Sequence, residues 1–141
     1  MIMVKVEHKW NGENIEKEAP TDSFLLTNNI GGYASLSEQP ISRYQGVFFK
    51  SGDKLYKVID NILLPPKIEK VVNHFNFIER KRKGTDEKIS MPHGHNALIC
   101  GLSEPTDIRL ILDCKEQYDT RSFGRSYSVY EEDGLIVVEF I

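Results

Sequence analysis

The sequence predicts an all-β protein, built as one antiparallel β-sandwich domain over residues 1–141. Short segments with apolar residues at every second position recur along the chain, as in half-buried strands. Turn-forming pairs such as Asn11-Gly12 and Asp133-Gly134 separate these segments. Strands at this spacing, with Gly, Asn and Asp turns, are typical of an all-β sandwich or barrel. No internal repeat, low-complexity segment or linker divides the chain.

The first half of the chain opens with this alternation. Ile2, Val4 and Val6 occupy every second position, which predicts a strand with these three side chains on one buried face. Asn11-Gly12 then predicts a hairpin that returns through residues 13–19. Further strands are predicted at residues 23–27, 33–37, 43–50 and 54–64, with a tight turn at 51–53 between the last two.

The second half contains one segment, residues 67–82, that fits two periodicities. Val71 and Phe75 are spaced as on a helix, whereas Phe75 and Phe77 alternate as in a strand. The β-rich context and the turn-like Asn73-His74 favour strands. Beyond this segment we predict a hairpin tip at 83–86, strands at 97–101, 107–113, 125–131 and 135–141, and a tight turn at 132–134.

Composition excludes several function classes. The net charge is -3 at pH 7, so nothing global attracts the chain to nucleic acid or to an anionic membrane. No apolar run approaches the length of a membrane span, and the first ten residues hold no signal-peptide core. The two cysteines, Cys100 and Cys114, cannot form a disulfide framework. We therefore expect a cytoplasmic protein with neither nucleic-acid nor membrane partners.

The end of the chain predicts a longer polypeptide. Residues 135–141, LIVVEFI, form an apolar strand with no polar tail after it. Chain termini tend to be exposed and polar, so we expect the natural chain to continue past Ile141.

The stretch at residues 24–49 holds the candidate functional site. Its residues are Asn28, Tyr33, Arg43 and Tyr44, with Gly31-Gly32 between the first two. Aromatic faces stack on sugar rings, and Asn and Arg side chains hydrogen-bond hydroxyl groups, so a substrate site or a domain interface is predicted. The alternative is structural: the Asn caps a turn, Tyr33 packs, and Arg43 holds a buried carboxylate.

This stretch carries a family resemblance. The segment 26–35, LTNNIGGYAS, followed by Arg43-Tyr44-Gln45-Gly46, resembles the opening motif of archaeal and bacterial glycogen debranching enzymes of the amylo-alpha-1,6-glucosidase type. That motif usually reads W-L-x-T-N-G-x-G-G-Y-A and then T-R-R-Y-H-G. Here Phe24 stands near the tryptophan, Asn29 replaces a glycine and Gln45 replaces the histidine. A weaker match, YDTRSFGRSY at 118–127, is similar to a later segment of the same region in archaeal members.

The resemblance implies a supersandwich-like N-terminal domain that precedes an (α/α)-barrel catalytic domain. It implies that the parent enzyme hydrolyses α-1,6 branch linkages in glycogen or a related α-glucan. Glycoside hydrolysis usually needs two carboxylates, and the resemblance implies that these lie in the catalytic domain. We accordingly name no catalytic residue and no cofactor, and expect these residues alone to be inactive. The expected partners are that catalytic domain and the α-glucan. The alternative is a stand-alone carbohydrate-binding or protein-interaction sandwich without catalysis.

Three further groups of polar residues have structural interpretations. Asp119, Arg121 and Arg125 predict a charged cluster, either an internal salt-bridge network or a clamp at a domain interface, because Arg pairs well with carboxylates. His93-Gly94-His95 lacks further ligands at usable spacing, so no metal site is predicted. The basic run Arg80–Lys83 precedes the hairpin tip; its favoured interpretation is a solvated turn, and nucleic-acid or phosphate binding is the alternative.

Overall fold

A computed structural model describes residues 6–9, 22–117, 119 and 127–140. The chain is all-β over these ranges, with antiparallel pairing throughout and no helix. The expected hairpin through residues 11–19 and the side chains of Ile2, Val4 and Val6 lie outside what is described.

The strands alternate with short connections, as the turn pattern predicts. Their bounds are β1 (Val6–Lys9), β2 (Leu26–Thr27), β3 (Tyr33–Ser35), β4 (Gly46–Ser51), β5 (Lys54–Leu63), β6 (Ile68–Asn73), β7 (Phe77–Arg82), β8 (Thr85–Ser90), β9 (Ile99–Leu102), β10 (Arg109–Glu116), β11 (Tyr127–Glu132) and β12 (Leu135–Phe140). Sheet A has the order β1-β6-β7-β8-β9, and sheet B has the order β10-β5-β4-β3-β2. The hairpin β11–β12 forms a separate two-stranded sheet.

Sheets A and B enclose one apolar core, which makes the fold a sandwich. Sheet B and its flanking residues contribute Phe24, Leu26, Ala34, Leu36, Val47, Ile62 and Leu64. Sheet A and the residue that follows β8 contribute Ile68, Val71, Ile78, Ile89 and Met91. In β7 and β8 the inward positions alternate with outward ones, as expected when one face of a sheet is buried.

The structure confirms the prediction for the ambiguous segment and for three of the tight turns. Residues 67–82 form two strands, β6 and β7, so the preference for strands over a helix is confirmed. Gly52, Gly84 and Gly134 have φ angles of 59°, 90° and 76° in the three tight hairpin turns. Positive φ costs glycine nothing because it has no Cβ, which is why these turns were visible in the sequence.

The inner face of sheet A carries charged side chains as well as apolar ones. Arg80 on β7 and Glu87 on β8 face each other, and the Arg80 Nε and Nη2 atoms each donate to a Glu87 carboxylate oxygen at 2.6 Å. Both side chains are 0% exposed. The Arg80 guanidinium lies 5.7 Å from the ring centroid of Phe24, which belongs to the opposite side of the core. The charges are therefore paired where water is excluded.

Arg82 links the two sheets beside this pair. Its Nη1 atom donates to the Glu38 carboxylate at 3.1 Å and to the carbonyl oxygens of Leu64 at 2.9 Å and Pro66 at 2.5 Å. Glu38 follows β3, and Leu64 and Pro66 follow β5, so all three acceptors lie in segments that leave strands of sheet B. Burial, and then the neighbouring Arg80 charge, lowers the pKa of Arg82.

The interpretation of residues 80–83 as a solvated basic turn is therefore wrong for two of the four residues. Arg80 and Arg82 are buried, whereas Lys81 and Lys83 are not. The reason is the two-residue period of β7, which places Ile78, Arg80 and Arg82 on the core face and the lysines elsewhere.

We expect Glu87→Gln to destabilise the fold strongly, because it leaves the buried Arg80 charge uncompensated. Breaking a buried pair typically costs about 3–5 kcal/mol. The control is Asp86→Asn on the same strand, which breaks the Lys81–Asp86 ion pair, where the side chains are 42% and 49% exposed. Such a pair contributes about 1 kcal/mol or less. The measurement is the free energy of unfolding in urea, and equal losses for the two variants would contradict this account of the core.

Candidate functional site

Asn28 closes the turn that connects β2 to β3. Its Oδ1 atom accepts hydrogen bonds from the backbone N–H groups of Ile30 at 3.1 Å and Gly32 at 2.8 Å. Asn29, next in the chain, has a φ of 66°, a conformation that Asn tolerates better than most residues. Asn28 itself is 0% exposed. It takes the turn-capping role of the structural alternative and faces no open surface.

Asn28 also fastens a loop from the other sheet. Its Nδ2 atom donates to the carbonyl oxygen of His95 at 3.0 Å and to the Asn96 side-chain oxygen at 3.0 Å. The backbone N–H of Gly94 donates to the Asn28 carbonyl at 2.7 Å. The loop that contains His93 and His95 thus packs against the turn between β2 and β3. Over the ranges that the structure describes, no three His, Cys, Asp or Glu side chains are grouped as metal ligands.

The double glycine of the motif has a steric cause. Gly31 has a φ of 100°, in the region that favours glycine. A Cβ on Gly32 would lie 2.6 Å from the Asn28 Nδ2 atom and 2.9 Å from the Phe48 carbonyl oxygen. The turn therefore packs too closely for any side chain at this position.

Tyr33, Arg43 and Tyr44 come together on the outer face of sheet B, and we call these three residues the aromatic platform. The Tyr33 ring stacks on Phe48 with a centroid distance of 4.5 Å, and its hydroxyl donates to the Tyr44 carbonyl at 3.0 Å. The Arg43 Nη2 atom donates to the Tyr44 hydroxyl at 2.8 Å. The Arg43 guanidinium lies 5.0 Å from the Tyr44 ring centroid, which is a cation–π contact.

The structural alternative for Arg43, that it holds a buried carboxylate, is wrong. The Arg43 side chain is exposed and contacts Tyr44. Tyr44 is 43% exposed. An open groove adjoins Tyr33, lined by Leu25, Thr27, Asn29, Gly31, Gly32 and Tyr33. The structure thus brings three of the four predicted site residues to one surface and buries Asn28 in the turn between β2 and β3.

Gln45, the residue at the position of the family histidine, supports the same loop from inside. It is buried, and its Oε1 atom accepts hydrogen bonds from the Ile41 N–H at 2.6 Å and the Ser37 hydroxyl at 3.4 Å. Its own N–H donates to the Ser42 carbonyl at 3.0 Å. Gln45 therefore closes the loop that carries Arg43 and Tyr44.

The predicted cluster of Asp119, Arg121 and Arg125 lies mostly outside the described residues, which include only the first of the three. The Asp119 N–H donates to the Glu116 carbonyl at 2.9 Å, which closes a turn after β10.

Cys100 is the one partly exposed thiol of the chain, and it is poorly suited to nucleophilic chemistry. Burial, and then the Glu87 carboxylate, raises the pKa of the Cys100 thiol to about 12. The Cys100 Sγ atom lies 3.4 Å from a Glu87 carboxylate oxygen. A thiolate is the reactive form, so this cysteine is held in its unreactive form near neutral pH.

Sequence reasoning missed Lys57 and Asn96. Asn96 accepts from Asn28 and donates through its Nδ2 atom to the Lys50 carbonyl at 2.8 Å. Lys57 is only 2% exposed and contacts the carbonyl oxygen of Arg43 at 3.3 Å. Neither residue has a local sequence signal, because a single polar residue in a strand or loop predicts solvent exposure.

Comparison with protein-family models, curated proteins and solved structures finds no match for this chain. Within the part of the chain that the structure describes, no helix has the length and apolar character needed to cross a bilayer.

We expect Gly32→Ala to lower the melting temperature, because its Cβ would overlap the Asn28 amide and the Phe48 carbonyl. Gly101→Ala is the matched control, since a Cβ there meets nothing within 4 Å and Gly101 lies in β9 of sheet A. A loss of about 2 kcal/mol shifts the melting temperature of a domain this size by several degrees. Thermal melts of both variants test this, and a Gly101→Ala protein that melts as low as Gly32→Ala would overturn the steric explanation.

We expect Cys100 to alkylate slowly in a Cys114→Ala variant, which leaves it as the only thiol. At about pH 8 the raised pKa leaves Cys100 with about a thousandfold less thiolate than an ordinary thiol has. A thiolate of higher pKa is more nucleophilic, which offsets part of this loss, so we expect an alkylation rate about 30-fold lower. Because the pKa is raised, the rate should still climb with pH at about pH 10, where an ordinary thiol levels off. Iodoacetamide kinetics over pH, with the denatured variant as control, provide the measurement; a plateau near pH 9 would contradict it.

Proposed function

We propose that this chain is the N-terminal β-sandwich domain of a glycogen-debranching-type glycoside hydrolase. The parent enzyme hydrolyses α-1,6 branch linkages in glycogen or a related α-glucan in the cytoplasm. The chain's partners are the (α/α)-barrel catalytic domain of the same polypeptide and the glucan. Support comes from the motif at 26–46 and from the all-β sandwich that contains it. Both cysteines are free, which is compatible with a reducing compartment.

The observation that carries this proposal is the aromatic platform. Tyr33 and the Arg43-Tyr44 pair belong to separate parts of the motif, yet the Tyr33 hydroxyl binds the Tyr44 carbonyl at 3.0 Å. The motif residues thus form one exposed surface unit with an exposed aromatic ring and an arginine. Sugars are bound by this combination, since the ring contacts the apolar face of a pyranose and the guanidinium donates hydrogen bonds to its hydroxyl groups.

The platform contributes binding, and the chemistry belongs to the catalytic domain. In the parent enzyme, water attacks the anomeric carbon while a carboxylic acid protonates the leaving oxygen. Arg43 and Tyr44 donate hydrogen bonds but supply no carboxylate, so their role is to guide an α-glucan chain, or to contact the catalytic domain at the entrance to its site.

A second candidate is a stand-alone carbohydrate-binding or interaction domain, favoured by the fact that this chain forms the whole platform by itself. The reading frame distinguishes the two. Continuation beyond Ile141 into a long helix-patterned region favours the first, and a stop codon there favours the second.

We expect the 141-residue protein to be retarded in native gels that contain glycogen, and to release no glucose from it. Tyr44→Ala should bind about tenfold more weakly, the change that about 1.4 kcal/mol produces. The matched control is Tyr56→Ala, because Tyr56 is 37% exposed and pairs across the sheet with Phe49, which packs against the core, rather than with Phe48, on which Tyr33 stacks.

Two results would contradict the proposal. One is glucose release by the 141-residue protein that disappears when one of its acidic residues is replaced. The other is glycogen retardation that Tyr44→Ala and Tyr56→Ala reduce equally, since the platform would then make no specific contribution.

A further inference from the structure

Lys57 is a buried lysine on the outer face of sheet B, directly behind the aromatic platform. Its side chain is 2% exposed, although lysine is rarely buried without a partner. The Nζ atom makes a short contact with Asp60, lies 3.9 Å from Asp113 and lies 5.7 Å from the ring centroid of Phe48. The ring of Tyr33 stacks on that same Phe48.

The charges around Lys57 are balanced. Asp113 also pairs with Lys115 at 2.6 Å, so two lysines meet two aspartates. Asp60 and Asp113 are each 34% exposed and keep part of their hydration. The stem of Lys57 is therefore covered, and its Nζ group has a donor left for a backbone acceptor.

That acceptor is the carbonyl oxygen of Arg43, 3.3 Å from the Lys57 Nζ atom. The next carbonyl along the chain, that of Tyr44, accepts from the Tyr33 hydroxyl at 3.0 Å. Two side chains of sheet B thus hold two consecutive carbonyl groups of the loop at residues 41–45. Because both carbonyls are held, the side chains of Arg43 and Tyr44 are presented outward together.

Gly46 makes room for this arrangement. It has a φ of 131°, and a Cβ there would lie 2.5 Å from the Ile59 carbonyl oxygen and 2.7 Å from the Lys57 Cε atom. The register between β4 and β5 shifts just after this point, between Val47 and Phe48. The Lys57 stem therefore lies across a position that no residue larger than glycine can occupy, which gives the last glycine of the motif a physical cause.

We propose that Lys57 is a positioning residue that preorganises the aromatic platform for its ligand. A loop that is already ordered loses less conformational entropy when it binds. The consequence for glucan binding rests on the function proposed above, whereas the ordering of the loop by Lys57 does not. Lys57 contacts no ligand itself and acts through the backbone of Arg43.

Trypsin gives a readout of the loop that needs no ligand, since it cleaves after arginine and the Arg43–Tyr44 bond contains the carbonyl that Lys57 holds. We expect Lys57→Met to raise the rate of cleavage at this bond about tenfold, as loss of a charge-assisted hydrogen bond frees the loop. The matched control is Lys54→Met on the same strand. Lys54 is 58% exposed and pairs with Glu116, so its loss should leave the Arg43 cleavage rate unchanged.

Selectivity separates this effect from general unfolding. Fragment masses should show cleavage at Arg43 first, whereas a globally unfolded chain is cut at its other lysines and arginines as well. If Lys57→Met unfolds, adding Asp60→Asn and Asp113→Asn removes the repulsion between Asp60, which has lost its lysine, and Asp113, which keeps only Lys115. The Arg43 carbonyl still lacks its donor in this triple variant, so cleavage at Arg43 should remain fast.

The glycogen gel then tests the functional consequence. Faster Arg43 cleavage, together with binding weakened as much as in Tyr44→Ala, supports both proposals. Faster cleavage while Tyr44→Ala and Lys57→Met both bind glycogen normally supports the role of Lys57 and contradicts the glucan function. An unchanged cleavage rate in the folded Lys57→Met or triple variant overturns the positioning role, whatever the gel shows.

Discussion

The fold depends on one buried ion pair, Arg80 with Glu87. Both side chains are fully buried between the sheets, and each hydrogen bond between them is 2.6 Å long. A shift of β7 by one residue would move Arg80 to the opposite face of the sheet, away from Glu87 on β8. The Arg82–Glu38 contact beside the pair would be lost in the same shift, together with its link to sheet B. The charged core therefore favours one register and one way of stacking the sheets.

Polar contacts of a second kind position the surface of sheet B. Asn28 fastens the turn and the loop at 93–96, whereas Lys57 and Tyr33 hold the loop at 41–45. These contacts lie outside the shared apolar core, so a change in them affects the placement of loops more than the stacking of the sheets. A binding surface needs this separation, because exposed side chains bind best when rigid strands fix the backbone below them.

Support for the proposed function comes from one short stretch of the chain. No family model, curated protein or solved structure matches the chain, so the proposal rests on a short motif and on how it folds. Most motif residues have structural roles. Asn28 caps the turn between β2 and β3, Gly32 and Gly46 allow neighbouring atoms to pack closely against the backbone, and Gln45 closes the loop at 41–45. The Arg43-Tyr44 pair, beside Tyr33, is the exposed part of the motif without such a role. These exposed groups are the ones that can meet a sugar or a neighbouring domain.

The sequence by itself determined the strands, the tight turns and the turn-capping chemistry of Asn28, because these follow from contacts between near neighbours. It did not reveal that Arg80 and Arg82 are buried, although their spacing from Ile78 placed all three on one face. Arg82 is buried against Glu38, which is 44 residues away, and the Asn28–Asn96 contact spans 68 residues. Lys57 likewise became a support for the platform only when β4 and β5 paired. A charged residue is buried or solvated according to the partner that the fold brings to it, and that partner is decided only in the tertiary structure.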